Sequence, residues 1–376
     1  MVKGRQYPHN HEDLVTVGGK EVVFDSRGFE YVDDEVIVAA DDVDAALRVL
    51  GKRFDARVAE QDEAADVAII ELATNGKLLE IVARLEAAGI PASPNHVLQT
   101  TWHSTVIGTG RPKPARPNAW LSNQLKRKPS ARRRPVVAVI DTGIVKHSRL
   151  INVRGVGQAT DRLTDPAAKS FGHGTFVAGL IAAECPDADI RVFRAAFGST
   201  DDNWFGLITD ADLAASIDSA LARLKTIDVM NLSIGGYTHD NRPLFATSRS
   251  VARAIRRNVT VVAGAGNDGR RDPFYPAAEP GVIGVGSIDA SGKRSCFSNI
   301  GPWVDVEAVG EDVVSTFPET ELHTIALPEG GSAGCPPEPA SPEQTVDFTG
   351  GFARWSGTSF SAARVSGAIA ATRIGR

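Results

Sequence analysis

The chain has 376 residues and a formal net charge of −5, with 42% hydrophobic and 23% charged residues. Its length exceeds the usual size of one domain and its composition is typical of folded proteins, so two units are expected and a disordered chain is excluded. No stretch approaches the roughly 18 uninterrupted apolar residues of a membrane span, and the N-terminal residues lack the apolar centre of a secretory signal, which predicts a cytoplasmic protein without a membrane partner.

The first predicted unit covers residues 35–100 and follows an N-terminal extension over residues 1–34. Strands are predicted in EVIVAA, DARVAE, ADVAIIELA and NHVLQT, and helices in DVDAALRVLGK and NGKLLEIVARLEAAG. Asp41 and Asp42 are candidate caps of the first helix, and Gly89 is expected to end the second. The order β-α-β-β-α-β predicts a small α+β domain of the split βαβ, ferredoxin-like kind.

Residues 101–134 are predicted to form an extended, protease-accessible linker. They contain nine basic and no acidic residues together with several prolines, whereas residues 1–100 contain 19 acidic and 10 basic residues. No aromatic residues alternate with the basic ones, so no nucleic-acid partner is expected, and a solvated or docked linker is favoured.

Residues 135–376 are predicted to form an α/β unit with a doubly wound, mainly parallel sheet. Near-continuous apolar runs such as PVVAVIDTG, IDVMNLSIGG and TVVAGAGNDG end in glycine-rich turns, which is typical of strands buried on both faces. Helices are predicted in HGTFVAGLIAAE, DLAASIDSALARLK and PLFATSRSVARAIRRN. The Pro/Gly-rich residues 318–352 are interpreted as a mobile surface loop.

Three reactive side chains, Asp141, His173 and Ser359, lie in glycine-lined turns of this second unit. Taken singly, each has an ordinary explanation as a turn residue, a surface histidine or a helix cap. Reactive groups of a doubly wound sheet are found where its strands end, and together the three supply a carboxylate, a base and a nucleophile. Serine needs an imidazole to take its proton, and the imidazole needs a carboxylate to hold its tautomer.

The segments around these residues resemble those of the subtilisin-like serine proteases, the subtilases of peptidase family S8. VIDTG, GHGTFVAG and SGTSFSAARVSG are similar to that family's aspartate, histidine and serine motifs and occur in its chain order. NLSIGG, VVAGAGNDG and the strands that follow extend the likeness over residues 135–371. The resemblance implies a subtilisin-like fold and a serine endopeptidase with Asp141 as orienting acid, His173 as general base and Ser359 as nucleophile.

The resemblance also implies how a peptide or protein substrate binds. Asn267 and the Ser359 N–H would form the oxyanion hole. An extended substrate would pair with residues 233–236 on one side and residues 206–208 on the other. The substrate-binding residues implied in this way are Ser233, Ile234, Gly235, Gly236 and Gly206.

The element order of residues 35–100 resembles the inhibitory propeptide of many subtilases. It implies an intramolecular inhibitor that covers the active-site face, with a self-cleavage point in or beside residues 95–104. Split βαβ domains serve many functions, so a permanently attached regulatory domain remains an alternative. A second alternative is a catalytically silent or partner-activated protease fold used for binding or sensing.

Several residues depart from the family pattern. Phe176 stands in place of a second histidine in the GHGT motif, outside the catalytic set, and Ala363 in place of a proline after the serine. Arg149 stands where the family often carries a calcium-binding aspartate. No cofactor is expected, and calcium binding is left open because its usual site is altered at Arg149.

The three cysteines, Cys185, Cys296 and Cys335, form no CxxC pair. Their odd number fits a reducing compartment better than a disulfide framework, and the predominance of arginine over lysine suggests a bacterial source.

Two other motifs point to different chemistry but lack the structural context that each needs. Ser332 lies in a GxSxG pattern but without the strand and helix that such a nucleophile needs. The segment GAGNDG matches GxGxxG, yet prolines follow it where a dinucleotide-binding helix would begin.

Overall fold

The structure is a computed structural model of the chain. It describes residues 16–17, 19–74, 76–100, 110–157, 172–195, 207–324, 335, 342 and 344–375. Gly206, Ser332 and residues 101–104 of the predicted self-cleavage segment lie outside the described residues.

The N-terminal unit is an antiparallel sheet with two helices. Its elements are β1 (Thr16–Val17), β2 (Lys20–Phe24), β3 (Glu30–Ala39), α1 (Val43–Leu50), β4 (Arg57–Asp62), β5 (Val67–Glu71), α2 (Leu78–Ala87) and β6 (Ala92–Thr100), with short 3-10 turns at Ala40–Asp42 and Gly51–Phe54. The spatial order β6-β3-β5-β4 is that of a split βαβ domain, which confirms the predicted α+β fold. Asp42 precedes α1, but its side chain makes no capping hydrogen bond, so that predicted cap is wrong.

The segment between the units contains a short strand and a helix, β7 (Lys113–Pro114) and α3 (Ala119–Lys126). The Asn118 side chain caps α3 by accepting a hydrogen bond from the Leu121 N–H at 2.8 Å. Leu121 and Leu125 are buried in the core of the second unit. The prediction of an extended linker is therefore wrong for these residues, because two leucines four positions apart give the helix an apolar stripe to bury.

The second unit is built on a seven-stranded sheet in which every neighbouring pair is parallel. Its strands are β8 (Val136–Asp141), β9 (Val153–Gly155), β10 (Asp189–Arg194), β12 (Val229–Leu232), β14 (Thr260–Gly264), β15 (Ile283–Ile288) and β16 (Val306–Val309). They lie in the order β16-β15-β14-β12-β8-β10-β9.

Helices cover both faces of this sheet. They are α4 (His173–Glu184), α5 (Asp210–Arg223), α6 (Thr247–Arg256) and α7 (Thr358–Ala371). Val137 and Val139 of β8 pack with α4 and α7, whereas Ala138 and Ile140 pack with α5 and α6. Alternate residues of one strand thus serve two cores, which confirms the doubly wound sheet.

Short strands complete the unit. They are β11 (Leu207–Thr209), β13 (Ile234–Gly235), β17 (Val313–Thr316), β18 (Glu321–Thr324), β19 (Gln344–Asp347) and β20 (Phe352–Trp355). The pairing of β18 with β19, and the packing of buried Phe348 at 4.4 Å from the Phe317 ring, show that the described part of residues 318–352 is not the mobile loop expected from its composition.

Cys296 and Cys335 form a disulfide, whereas Cys185 is buried with a free thiol. The expectation that the thiols stay reduced is wrong for this pair, since an odd total does not prevent two of three cysteines from meeting. The cysteines therefore no longer support a cytoplasmic location. In the described part of the chain, no helix has the length and apolar run that a membrane span requires.

Candidate active site

Asp141 and His173 meet where β8 ends and α4 begins. The buried Asp141 carboxylate accepts hydrogen bonds from the Thr142 backbone N–H at 2.7 Å and from His173 Nδ1 at 2.8 Å. Since an ionised carboxylate can only accept, Nδ1 carries the proton and Nε2 has the free lone pair. A Cβ at Gly174 would lie 2.1 Å from the Gly143 carbonyl oxygen, so only glycine lets α4 approach β8 this closely.

Aromatic side chains enclose the His173 ring. The ring of Trp355 stands edge-on at 5.6 Å and that of Phe360 lies at 5.5 Å, and both side chains are buried. Phe176 packs 4.4 Å from Phe360 and 5.8 Å from Trp355. Phe176 therefore supports the rings that hold His173 and lies outside the reacting groups.

Ser359 is the second residue of α7 and is 1% exposed. The start of α7 packs tightly on β14, because a Cβ at Gly264 would lie 3.1 Å from the Ser359 backbone nitrogen. Phe360, the next residue, carries one of the rings against His173. Among the described residues, no hydrogen bond reaches Ser359 Oγ, from His173 or from any other group. A buried hydroxyl without a partner costs free energy, so its position calls for a functional reason.

Asn267 lies in the turn after β14 and is 5% exposed. Its Oδ1 accepts a hydrogen bond from the Thr358 N–H at 2.9 Å, which fixes the side chain against the start of α7. Its Nδ2 is also buried and has no hydrogen-bond partner in the described structure. Two unpaired polar groups, an amide donor and a hydroxyl, therefore lie at the first turn of the same helix.

The strand β6 of the N-terminal unit lies between β11 and β13 and is antiparallel to both. Ile208 is opposite Leu98, and Ile234 is opposite Thr100. The two segments expected to pair with substrate therefore pair with the chain's own residues 97–100.

Ser233 and Gly236 flank β13. Ser233 Oγ donates to Asn231 Oδ1 at 3.0 Å and lies 3.4 Å from the Ser359 carbonyl oxygen. Gly236 pairs with Tyr275 on the side away from β6, where its N–H donates to the Tyr275 carbonyl oxygen at 2.8 Å. The strand expected to bind substrate is thus joined directly to the residue that carries the candidate nucleophile.

A histidine pair forms a second contact between the two units. His96 of β6 is 1% exposed, stacks on His239 at 5.3 Å, and accepts a hydrogen bond from the His239 backbone N–H on Nε2 at 3.1 Å. Burial, assisted by His239, lowers the pKa of His96 to about 3. This contact requires a neutral His96 ring, since a protonated Nε2 cannot accept.

Arg270 forms a third contact. Its guanidinium donates to the Arg27 carbonyl oxygen at 3.0 Å and the Gly28 carbonyl oxygen at 3.3 Å, and it lies 4.0 Å from the centre of the Tyr237 ring. The turn between β2 and β3 is thereby bonded to the turn that carries Asn267.

Arg149, which stands where the family often carries a calcium-binding aspartate, follows β8 and is exposed. The described residues contain no group of three or more His, Cys, Asp or Glu side chains arranged to hold a metal. The absence of a metal cofactor stays a prediction.

Motif reasoning missed several residues that shape the site. Trp355 and Phe360 enclose His173, and Asn299 bonds the Asn267 turn. Asn299 lies in FSNIG, a segment noted only for its likeness to the family's later strands. An asparagine before an apolar residue and a glycine was the available signal, and it does not identify the partners of Asn299.

Comparison with known proteins divides the chain in two. Residues 132–374 match the subtilase family, and residues 19–90 match the fervidolysin N-terminal prodomain. Subtilisin NAT from Bacillus subtilis subsp. natto is 32% identical over 195 residues, which are 48% of this chain and 48% of that protein. Mycosin-4 from Mycobacterium tuberculosis is 33% identical over 275 residues, which are 63% of this chain and 55% of that protein.

A solved structure has the same fold. Fervidolysin from Fervidobacterium pennivorans, described as a keratinolytic enzyme related to subtilisin, superposes with a TM-score of 0.60 at 23% identity and covers 90% of this chain and 54% of its own. The present chain spans about half the length of the curated subtilisins that it matches. Since the family match covers residues 132–374, well over half of the 376, the chain belongs to the subtilase family.

Proposed function

We propose that this chain is a serine endopeptidase that hydrolyses peptide bonds through an acyl-enzyme intermediate on Ser359. The observation that carries the proposal is the pair of buried, unpaired groups at the start of α7, Ser359 Oγ and Asn267 Nδ2. The same helix start carries Phe360, whose ring lies 5.5 Å from the ring of His173, and His173 is already bonded to the buried Asp141 carboxylate. Acyl transfer needs these two groups, and a purely structural site would have paired them.

In the first half of the reaction, Ser359 Oγ attacks the substrate carbonyl carbon while His173 Nε2 takes the hydroxyl proton. Asp141 stabilises the imidazolium through the Nδ1 hydrogen bond. The oxyanion that forms accepts hydrogen bonds from Asn267 Nδ2 and from the Ser359 N–H, which has no acceptor within its own helix because it lies in the first turn. The imidazolium then gives its proton to the leaving amine, the C–N bond breaks, and the acyl-enzyme remains.

In the second half, water replaces the amine. His173 Nε2 takes a proton from the water as its oxygen attacks the acyl carbon, the same donors bind the oxyanion, and Ser359 Oγ leaves with the proton that His173 returns. Each step uses side chains of this chain and water, so we propose no cofactor.

We further propose that the N-terminal unit inhibits this site and is its first substrate. In β6, residues 97–100 pair with β11 and β13, the two strands between which we propose that an extended substrate binds. Thr100 is opposite Ile234, which follows Ser233, and the Ser233 hydroxyl lies 3.4 Å from the Ser359 carbonyl oxygen. We therefore expect self-cleavage shortly after Thr100.

A serine-directed phosphonate probe tests the chemistry. The chain should be labelled after release of its N-terminal unit, and Ser359→Ala should abolish labelling. The matched control is Ser361→Ala, two residues along α7, where the hydroxyl instead donates to the Ala308 carbonyl oxygen at 2.9 Å and labelling should persist. Labelling retained by Ser359→Ala would overturn the assignment.

Mass spectrometry of the purified protein tests self-cleavage. A new N-terminus within residues 101–104 that is absent from Ser359→Ala would support an inhibitory prodomain. An intact chain that is labelled and active would instead support a permanently attached regulatory domain. An intact chain that neither cleaves peptide nor reacts with the phosphonate probe would favour a catalytically silent binding module.

A further inference from the structure

The Asn299 side chain makes four hydrogen bonds, three of them to the turn that carries Asn267. It is 1% exposed. Its Oδ1 accepts from the Asp268 N–H at 3.1 Å and from the Arg270 N–H at 2.9 Å. Its Nδ2 donates to the Ala265 carbonyl oxygen at 2.9 Å and to the Tyr237 hydroxyl at 2.8 Å. An asparagine amide has two donor hydrogens and two acceptor lone pairs, so none remains unused.

The three backbone partners lie on both sides of Asn267 in sequence. The Asn299 N–H adds a bond to the Gly266 carbonyl oxygen at 3.1 Å. Gly266 has a φ of +96°, and a Cβ there would lie 2.3 Å from Asn299 Nδ2. The turn therefore combines a left-handed residue with a contact that only glycine allows, and the Asn299 side chain secures this conformation.

The fourth partner connects the turn to the substrate strand. Tyr237 directly follows Gly236, is 7% exposed, and donates its hydroxyl hydrogen to Asp268 Oδ2 at 2.9 Å while accepting from Asn299. Burial raises the pKa of Tyr237 well above its usual value, so the phenol keeps this proton. One side chain thus joins the end of the substrate-pairing segment to the turn of the oxyanion donor.

We infer that Asn299 is a positioning residue for peptide hydrolysis. It holds the turn of residues 265–270 so that Asn267 Nδ2 stays directed at the developing oxyanion, in register with a substrate held by residues 233–236. The inference rests on the proposed function. Asn299 touches neither substrate nor reacting atoms, and it acts through Asn267.

The test compares Asn299→Ala with Asn152→Ala in the processed enzyme. Asn152 is also buried and donates to two carbonyl oxygens, those of Pro186 at 3.2 Å and Ala188 at 3.0 Å, but it lies where the parallel strands begin, away from Asp141. Both variants lose a buried amide. Activity is measured on a fluorogenic peptide, and enzyme concentration is set by titration of Ser359 with the phosphonate.

Asn299→Ala should lower kcat about 10- to 100-fold with little change in KM, because complete loss of an oxyanion donor costs about 10²- to 10³-fold. Asn152→Ala should leave kcat per titrated site unchanged. In an Asn267→Ala background, Asn299→Ala should lower kcat little further, since the two residues act through one donor. Independent, multiplying losses of kcat would overturn the inference, as would a kcat per titrated site that Asn299→Ala leaves unchanged.

If Asn299→Ala does not accumulate as folded protein, Asn299→Asp replaces it in this comparison. It keeps the acceptor for Asp268 and Arg270 and removes both amide donors, so its kcat should lie between those of the parent and Asn267→Ala. A kcat equal to that of the parent contradicts the role of Asn299. A parent enzyme that neither cleaves peptide nor reacts with phosphonate refutes the proposed function itself, so the two failures are distinguishable.

Discussion

The two edges of the N-terminal sheet differ in a way that explains how this unit docks. The outer edge, β4, is exposed along most of its length, carries Arg57, Glu60 and Asp62, and has a register shift after Val58. The opposite edge, β6, is buried from residue 92 to residue 99 and contains no Asp, Glu, Lys or Arg. Charges and irregular pairing discourage strand addition, whereas an uncharged edge accepts it. The sequence of each edge thus decides which one pairs with the second unit.

Under the proposed function, inhibition and substrate binding would use the same backbone groups. β11 and β13 pair with β6 on both sides, as they would with any extended peptide. Under the proposed function, a substrate would therefore enter only when β6 leaves. The predictions below measure how firmly β6 is held, by hydrogen-exchange mass spectrometry of residues 92–100 in the Ser359→Ala chain, where self-cleavage cannot occur.

The largest effect is expected from placing a charge on the docked edge. Leu98 is fully buried opposite Ile208, and an ionised carboxylate there would cost several kcal/mol without a partner. Leu98→Glu should lower the protection of β6 by more than about 100-fold. The control is Val58→Glu on the exposed edge, where 38% of the residue is accessible and no change is expected. Full protection in Leu98→Glu would show that β6 is not held by this pairing.

Acidification should have the next largest effect. His96 has a pKa of about 3 when β6 is docked and an ordinary pKa of 6.5 when β6 is released. Above pH 6.5 the ring is therefore neutral in the docked and in the released chain, and docking does not depend on pH. As the pH falls below 6.5, only the released state gains a proton, and docking weakens until the pH reaches the docked pKa. Protection of β6, corrected for the intrinsic exchange rate, should fall about tenfold between pH 7.5 and pH 5.5.

His96→Gln isolates this contribution, because the glutamine carbonyl can accept the His239 N–H without titrating. The variant should lose most of the pH dependence. Some should remain, because burial also lowers the pKa of His239, an effect that Asp240 and Glu86 oppose. An unchanged pH dependence in His96→Gln would assign the titration to another group.

A smaller effect is expected from Arg270→Ala. Its two bonds to carbonyl oxygens of the β2–β3 turn join a partly exposed side chain to the N-terminal unit. At about 0.5 kcal/mol each, the low end for a partly exposed donor, the two bonds contribute about 1 kcal/mol together, so protection should fall about fivefold. Arg57→Ala, which removes the exposed β4 pair with Glu71, is the matched control and should leave β6 unchanged. Equal losses in both variants would indicate general destabilisation of the sheet.

The fold was largely predictable because the spacing of apolar residues and the positions of turn residues are local features of the sequence. Alternating and continuous apolar runs predict the strands, and glycine-rich turns mark where they end. Helix α3 was missed because prolines and basic residues on either side hide two buried leucines. The disulfide was missed because cysteine pairing depends on distance in space, and Cys296 and Cys335 are 39 residues apart in sequence.

The site was predictable only where chemistry imposes a residue type. Asp141, His173, Ser359 and Asn267 stand in short motifs whose glycines allow close approach. The partners of Asn299 and the pairing of His96 with His239 join distant segments, and no local pattern encodes them. Backbone pairing of β6 was implied by resemblance, whereas its register with β11 and β13 requires coordinates.

Metal removal should have the smallest effect of all. The strands that hold β6 do so by backbone pairing and apolar contact, neither of which a chelator disturbs. Arg149 places a cation where the family resemblance implies a calcium ligand, and like charges repel. EDTA should therefore leave peptide hydrolysis and β6 protection unchanged. Arg149→Asp restores the aspartate that the resemblance implies. If EDTA lowers the thermal stability of this variant but not that of the parent, the altered calcium site lies at this turn. A loss of parent activity in EDTA that calcium restores would instead require a site elsewhere in the chain.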